Sequence, residues 1–116
     1  MSRTHRGDVV LVLFPDSNLR TSKRRPALIV QADQLGIDLA QTIVAMITSN
    51  MARGGHRSRV VVRGGSEKAK RSGLLMDSVI MTDNIATVQH SEIDRVIGTF
   101  PGMSELDAAL RSTLAL

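Results

Sequence analysis

Two short polar segments carry residue types that could do chemistry. Lys23-Arg24-Arg25 runs straight into the apolar stretch Pro26-Ala27-Leu28-Ile29-Val30, and the apolar stretch Gln41 to Thr48 leaves through Thr48-Ser49-Asn50. A guanidinium forks onto phosphate oxygens and keeps its charge in a crowded site, while a hydroxyl adds a neutral hydrogen bond. Both segments sit at the ends of runs that read as buried strands, and strand ends are rigid platforms for a reacting group. If those two strands pair, Arg25 and Thr48 become neighbours and phosphodiester chemistry becomes feasible. On residue types alone the matter stays open, because Arg-Arg-Pro before a strand is commonly a solvated loop end and Thr-Ser-Asn commonly a turn.

Other chemistries find less support. There is no cysteine, which removes thiol catalysis, zinc ribbons and iron–sulfur clusters together. No G-x-S-x-G elbow, Walker loop or HExxH stretch occurs. Asp8, Asp16, Asp77 and Asp83 form no D-x-D cluster, and His5, His56 and His90 lack ligand-like spacing, so neither a metal nor a cofactor is expected. The balance of charge points to a polyanion. The net charge is +4, and twelve of the fifteen basic residues are arginine, bunched at Lys23 to Arg25, Arg53 to Arg63 and Lys68 to Arg71. A solvated surface with surplus charge is the plainer alternative. Phe14 and Phe100 are the only aromatic residues, too few for a broad base-stacking platform.

The elements that must position these residues are short. Asp8 to Phe14, Pro26 to Val30, Gln41 to Thr48, Arg57 to Arg63, Leu74 to Met81, Asn84 to Gln89 and Val96 to Phe100 read as strands, with Pro26 tolerated at a strand start. Asp16 to Arg25 reads as a polar loop, Ala32 to Ala40 as a connection with a helical turn, and Gly64 to Gly73 as a charged loop. From Ser104, a candidate N-cap, Leu106, Leu110, Thr113 and Leu114 fall on one helical face, with Asp107 and Arg111 at pairing distance. Many short strands followed by one helix predict a mainly β chain, a small antiparallel barrel with a C-terminal α-helix, as a single domain over residues 1–116. Hydrophobic residues make up 42% of the chain, enough for one real core. The longest apolar run, Val9 to Phe14, is too short for a bilayer, and a cytoplasmic location without membrane contact is expected.

The ordered set of segments resembles the MazF/PemK toxins. Arg6-Gly7-Asp8-Val9-Val10-Leu11-Val12, then Phe14-Pro15, then Lys23 to Val30 are similar to the opening signature of that family. Ile47-Thr48-Ser49-Asn50 resembles its third-strand exit, and Gly73-Leu74-Leu75-Met76-Asp77-Ser78-Val79 its leucine-x-x-aspartate-serine-valine segment. Asn84 to Val88 and Val96-Ile97-Gly98 resemble the closing strands. The resemblance implies an SH3-like barrel of the CcdB/PemK kind that forms a homodimer. It implies a sequence-preferring endoribonuclease acting on single-stranded RNA, messenger RNA foremost, and held in check by an antitoxin of MazE type. It places the catalytic pair at Arg25 and Thr48, with the loop before Arg25 covering the RNA groove. Lys23, Arg24, Ser49, Asn50, Arg53, Arg57, Asp77 and Ser78 are the expected RNA-binding residues, although Asp77 and Ser78 serve equally well to order a strand start. The same fold family includes the CcdB gyrase poison, which is no nuclease. A gyrase binder and a non-catalytic RNA-binding barrel are therefore the competing expectations.

Overall fold

A computed structural model describes residues 4–15, 20–36 and 39–116. Among them six strands form one antiparallel sheet: β1 (Asp8–Pro15), β2 (Ser22–Ile29), β3 (Gln41–Thr48), β4 (Arg59–Val62), β5 (Ser78–Gln89) and β6 (Ile93–Thr99). Two α-helices, α1 (Glu67–Ser72) and α2 (Met103–Leu114), join them. The sheet order is β4-β5-β3-β2-β1-β6, so β4 and β6 form its two edges. The mainly β architecture and the terminal helix agree with expectation. The ladder does not close on itself as a hydrogen-bonded barrel.

Side-chain alternation along the strands builds two apolar clusters, one from each face of the sheet. Val9, Leu28 and Ala45 lie in register across β1, β2 and β3, and share a cluster with Phe100, Ala69 of α1, and Leu106 and Ala109 of α2. Their neighbours Val10, Ala27, Met46 and Met81, also in register, belong to the other cluster. The α2 helix is held by more than apolar contact. Buried Thr82 of β5 shares a 2.6 Å hydrogen bond with the Thr113 hydroxyl, and Arg6 Nη2 meets Asp107 Oδ1 at 2.7 Å. Asp107 therefore pairs with Arg6 at the entrance to β1 rather than with Arg111.

β4 spans Arg59–Val62 instead of Arg57 to Arg63 and β6 Ile93–Thr99 instead of Val96 to Phe100, and four further elements differ from the sequence reading. First, β2 begins at Ser22, so Pro26 is its fifth residue instead of its first; Lys23, Arg24 and Arg25 are strand residues facing Phe14, Leu13 and Val12 of β1. Second, Gly64 to Gly73 is not a loop throughout, because it contains α1. Ser66 accepts the Ala69 N–H as N-cap, Glu67 and Lys70/Arg71 sit at the dipole-favoured ends, and Gly73 caps the helix at φ +74°. Third, the two expected strands Leu74 to Met81 and Asn84 to Gln89 are one strand, bent at Thr82 to Asn84, and it starts only at Ser78. Fourth, α2 begins after Gly102, not at Ser104, because the chain turns beneath the Phe100 ring, where a Cβ on Gly102 would come within 2.7 Å. Of the expected Asp16 to Arg25 loop, residues 16–19 lie outside the described residues. The helical turn expected after Ala32 is a 3-10 turn at Asp33–Gly36.

Leu106 is fully buried and Leu114 is 51% exposed, although both lie on the face predicted to be apolar. Leu106→Ala is expected to lower the unfolding free energy by about 2–5 kcal/mol, and Leu114→Ala to stay within about 0.5 kcal/mol of the parent. Urea titration of the two variants checks this.

Candidate active site

The position of the site follows from one residue in β2. Val30 donates its N–H to the Ile43 carbonyl at 3.0 Å, so it bonds toward β3. Bonding direction alternates along an antiparallel strand, which puts Leu28 and Pro26 on the same side. Proline has no N–H to give, and the β2–β3 ladder ends at Ala27 opposite Met46. Beyond that point the outer pairings persist: Arg25 stays opposite Val12 of β1, and Thr48 opposite Val79 of β5. Continuing the β2–β3 register by two residues would set Arg25 opposite Thr48. The two strands are held from outside and part on the inside.

A cavity of about 710 Å³ fills the parting. Its wall includes Ile47 and Leu74 from one apolar cluster and Met46 and Met81 from the other, so it opens at the split end of the sheet and reaches both faces. The far wall is the segment from Gly73 to Met76. Two glycines let it approach β6: a Cβ on Gly73 would strike the Ile97 carbonyl, and one on Gly98 would strike the backbone of Ser72. Among the described residues, Arg24, Arg25 and Arg95 are the only charged ones on the wall, and no carboxylate or histidine lines it. Such a cavity attracts anions and offers no hard ligand set for a divalent cation.

Of the sequence-derived residues, Arg24, Arg25, Thr48, Ser49 and Ser78 come together on this wall. Lys23, Asn50, Arg53, Arg57 and Asp77 do not line it. The local bonding of several explains their placement. Thr48 Oγ1 accepts the Asn50 N–H at 3.1 Å, using one lone pair and leaving the hydroxyl hydrogen without an acceptor among the described residues. Asn50 Oδ1 accepts the Ala52 N–H and caps a 3-10 turn at Met51–Arg53. Asp77 Oδ1 accepts the Gly64 N–H at 2.7 Å and ties the end of β4 to the start of β5, while the Ser78 hydroxyl donates to the Met76 carbonyl. Arg24 donates from Nε to Asp94 Oδ2 at 3.0 Å, joining β2 to β6 over the top of β1. No hydrogen bond or ion pair holds the Arg25 guanidinium among the described residues. Sequence reasoning missed Arg95 and Asn84, which reach the wall from β6 and from the bend in β5.

That bend has its own clamp. Between Ala45 and Met46 of β3 the register to β5 jumps, leaving Thr82, Asp83 and Asn84 unpaired with β3. Arg59 of β4 grips Asp83 with two bonds, Nη2 to Oδ2 at 2.7 Å and Nε to Oδ1 at 3.2 Å, and gives a third to the Arg53 carbonyl at 2.9 Å. The hydrogen bonds from Arg59 hold the Asp83 carboxyl below the usual carboxylate range, and the same bonds raise the Arg59 guanidinium. One arginine thus fixes both the bend that presents Asn84 and the loop that follows Asn50.

The fold and the arginine-walled cavity define a small, mainly β protein with an anion-attracting site at the split of its sheet. The family model for PemK-like, MazF-like toxins of type II toxin–antitoxin systems matches residues 5–114, and the chain belongs to that family. It is 33% identical over 107 residues to endoribonuclease MazF2 of Mycobacterium bovis, covering 90% of each chain, and equally so to endoribonuclease MazF6 of Mycobacterium tuberculosis. Among solved structures, an endoribonuclease in complex with its cognate antitoxin from a mycobacterial species superimposes with a TM-score of 0.76 at 21% identity, over 98% of this chain and 97% of that one. A MazE–MazF crystal structure from Deinococcus radiodurans gives 0.73 at 18% identity, over 97% of both. At those identities the structural matches speak for the fold.

The Arg59–Asp83 clamp makes a signed prediction. The folded Asp83 carboxyl binds its proton less tightly than the unfolded one, whose pKa is about 3.9, so the unfolded state takes up more protons in acid. The stabilisation is therefore present above that value and lost as pH falls through the folded pKa. Asp83→Asn should lower the melting temperature at pH 7, and the gap to the parent should close as the pH is taken below about 3.9. Parallel melting curves across that range read it directly; a gap that stays constant with pH would sink the assignment.

Proposed function

We propose that this chain is an endoribonuclease toxin that cleaves single-stranded RNA without a metal, using Arg25 and Thr48 at the split between β2 and β3. The observation that carries the reading is the cavity wall, whose charged groups among the described residues are all arginines and which lies between those two residues' strands. RNA supplies its own nucleophile. The 2′-hydroxyl oxygen bonds to the adjacent phosphorus, the phosphorus–O5′ bond breaks, and the products carry a 2′,3′-cyclic phosphate and a 5′-hydroxyl. The 2′-hydroxyl proton leaves to solvent and the 5′ oxygen takes one up. The protein's part is to hold the phosphate and to stabilise charge on the phosphorane oxygens.

Arg25 suits the second task, because its guanidinium carries a fixed charge and no partner among the described residues competes for it. A guanidinium holds its proton at neutral pH and is a poor general base. Thr48 suits the first: the Asn50 N–H fixes its oxygen, and its remaining hydrogen donates to a phosphate oxygen, an acceptor only. Ser49 and Ser78 line the same wall, and Arg24 stands at its rim; Lys23, Asn50, Arg53, Arg57 and Asp77 lie outside the cavity. The relatives crystallised with antitoxins support an inhibitor of MazE type whose acidic segment competes with RNA for this wall. We further propose a cytoplasmic homodimer, in which pairing covers sheet edges and the exposed apolar residues Leu75 and Met76. No helix among the described residues is long and apolar enough to cross a membrane.

Arg25→Ala should slow single-turnover RNA cleavage at saturating enzyme by about 10²–10³-fold, with an unchanged melting curve. Thr48→Ala should lose less, and Thr48→Ser should restore most of that loss. The assay is run in EDTA with analysis of the product ends. Near-parental cleavage by Arg25→Ala, or products ending in a 3′-hydroxyl, would refute the assignment. Light scattering should return twice the mass of one chain.

A further inference from the structure

We propose that Arg95 is a second phosphate-binding residue of the cavity, holding a phosphodiester that neighbours the one at Arg25. The inference rests on the reading of the cavity as an RNA site. It starts from β1, which lies between the two arginines. Val12 faces Arg25 on β2, while the adjacent Leu11 faces Pro26 on β2 and Arg95 on β6. Arg25 and Arg95 thus stand on the strands flanking β1, about 10 Å apart at the backbone, two inter-strand spacings. That distance suits two phosphates of one strand better than a shared one. Being opposite successive residues of β1, they also start from opposite faces of the sheet, and they meet at one cavity because it opens at the split end.

A register shift between Leu11 and Val12 inserts Asp94 as an extra residue of β6 beside Arg95. The Asp94 carboxylate is already engaged, since it accepts the Nε–H of Arg24 at 3.0 Å. Of the three arginines on the wall, Arg24 is therefore neutralised by a carboxylate. Arg25 and Arg95 carry no ion pair or hydrogen bond from their guanidinium groups among the described residues. Arg95 is exposed to solvent, so its charge reaches a ligand without first breaking a protein contact. The cluster of basic residues before Pro26 suggests Arg24 as the companion of Arg25, but the geometry gives that place to a residue seventy positions away in the chain, counting from Arg25.

Binding is measured by fluorescence anisotropy on a 2′-O-methyl RNA, which lacks the nucleophile, so the result does not depend on cleavage. Arg95→Ala should weaken binding roughly tenfold near 100 mM salt, the scale of one charge-assisted hydrogen bond. It should also flatten the slope of log affinity against log salt by about 0.7, the value for one phosphate contact to a single strand. Arg95→Lys should recover the slope and only part of the affinity, because the charge is kept and the fork lost. Arg111→Ala, on the exposed end of α2, serves as the control with a parental slope. On cleavable RNA, Arg95→Ala should raise KM and leave the saturated single-turnover rate within a few-fold of the parent. A parental salt slope in Arg95→Ala overturns the proposal, as does an affinity loss accompanied by a halved light-scattering mass. A parent that binds the RNA through Arg95 yet never cleaves would instead overturn the nuclease reading and leave this one standing.

Discussion

The missing N–H of Pro26 is the constraint on which the site depends. In an antiparallel sheet every strand interior is stapled on both sides, and a cavity can open only where a staple is absent. Here the staple fails on one side alone. β1 continues to hold Arg25 through its pairing with Val12, and β5 continues to hold Thr48 through Val79, so the strands part without becoming loose. The result is a cavity whose two key side chains sit on regular backbone. For the cleavage proposed above, preorganisation of that kind would serve a transient phosphorane, because donors already in place need no reorganisation as charge develops.

The arginines divide by partner. Arg6 binds Asp107 and the Val30 carbonyl and so fastens α2 to the entrance of β1; Arg59 binds Asp83 and fixes the bend of β5; Arg24 binds Asp94 and joins β2 to β6. Each acts as a fastener between elements distant in sequence. The residues left facing the cavity without a carboxylate are a different subset, and clustering along the chain does not identify them. Lys23, Arg24 and Arg25 are adjacent, yet alternation and one acid at the top of β6 give them three environments among the described residues: outside the wall, paired at its rim, and unpaired upon it. Acidic residues therefore shape the positive site as much as basic ones do, by withdrawing particular arginines from it.

Local rules account for what was legible in the chain. The alternating and β-branched runs marked β1 to within a residue and β3 in full, and the order of strands and terminal helix pointed to a mainly β fold. Arg25 precedes one apolar run and Thr48 closes another, and the family resemblance singled the two out as a pair. The α1 helix carried clear end signals in Ser66, Glu67 and Gly73, but its face is too short and too weakly apolar to register as periodic: only Ala69 and Ser72 are buried. The break read between Met81 and Asn84 is real as a bend and wrong as a boundary, since Arg59 and Asp83 keep the strand continuous across it.

Residue types and their spacing thus determined the strand content, the surplus of arginine and the two strand ends where chemistry was expected. Only tertiary structure decided which arginines remain available, that Asp77 turns its side chain to the Gly64 N–H, and that Arg95 and Asn84 join the wall. The physical reason is range. Propensity and alternation act over a few residues, whereas the register of β6 on β1, the gap left by Pro26 and the choice of carboxylate for each guanidinium are contacts between segments tens of residues apart, and nothing local encodes them.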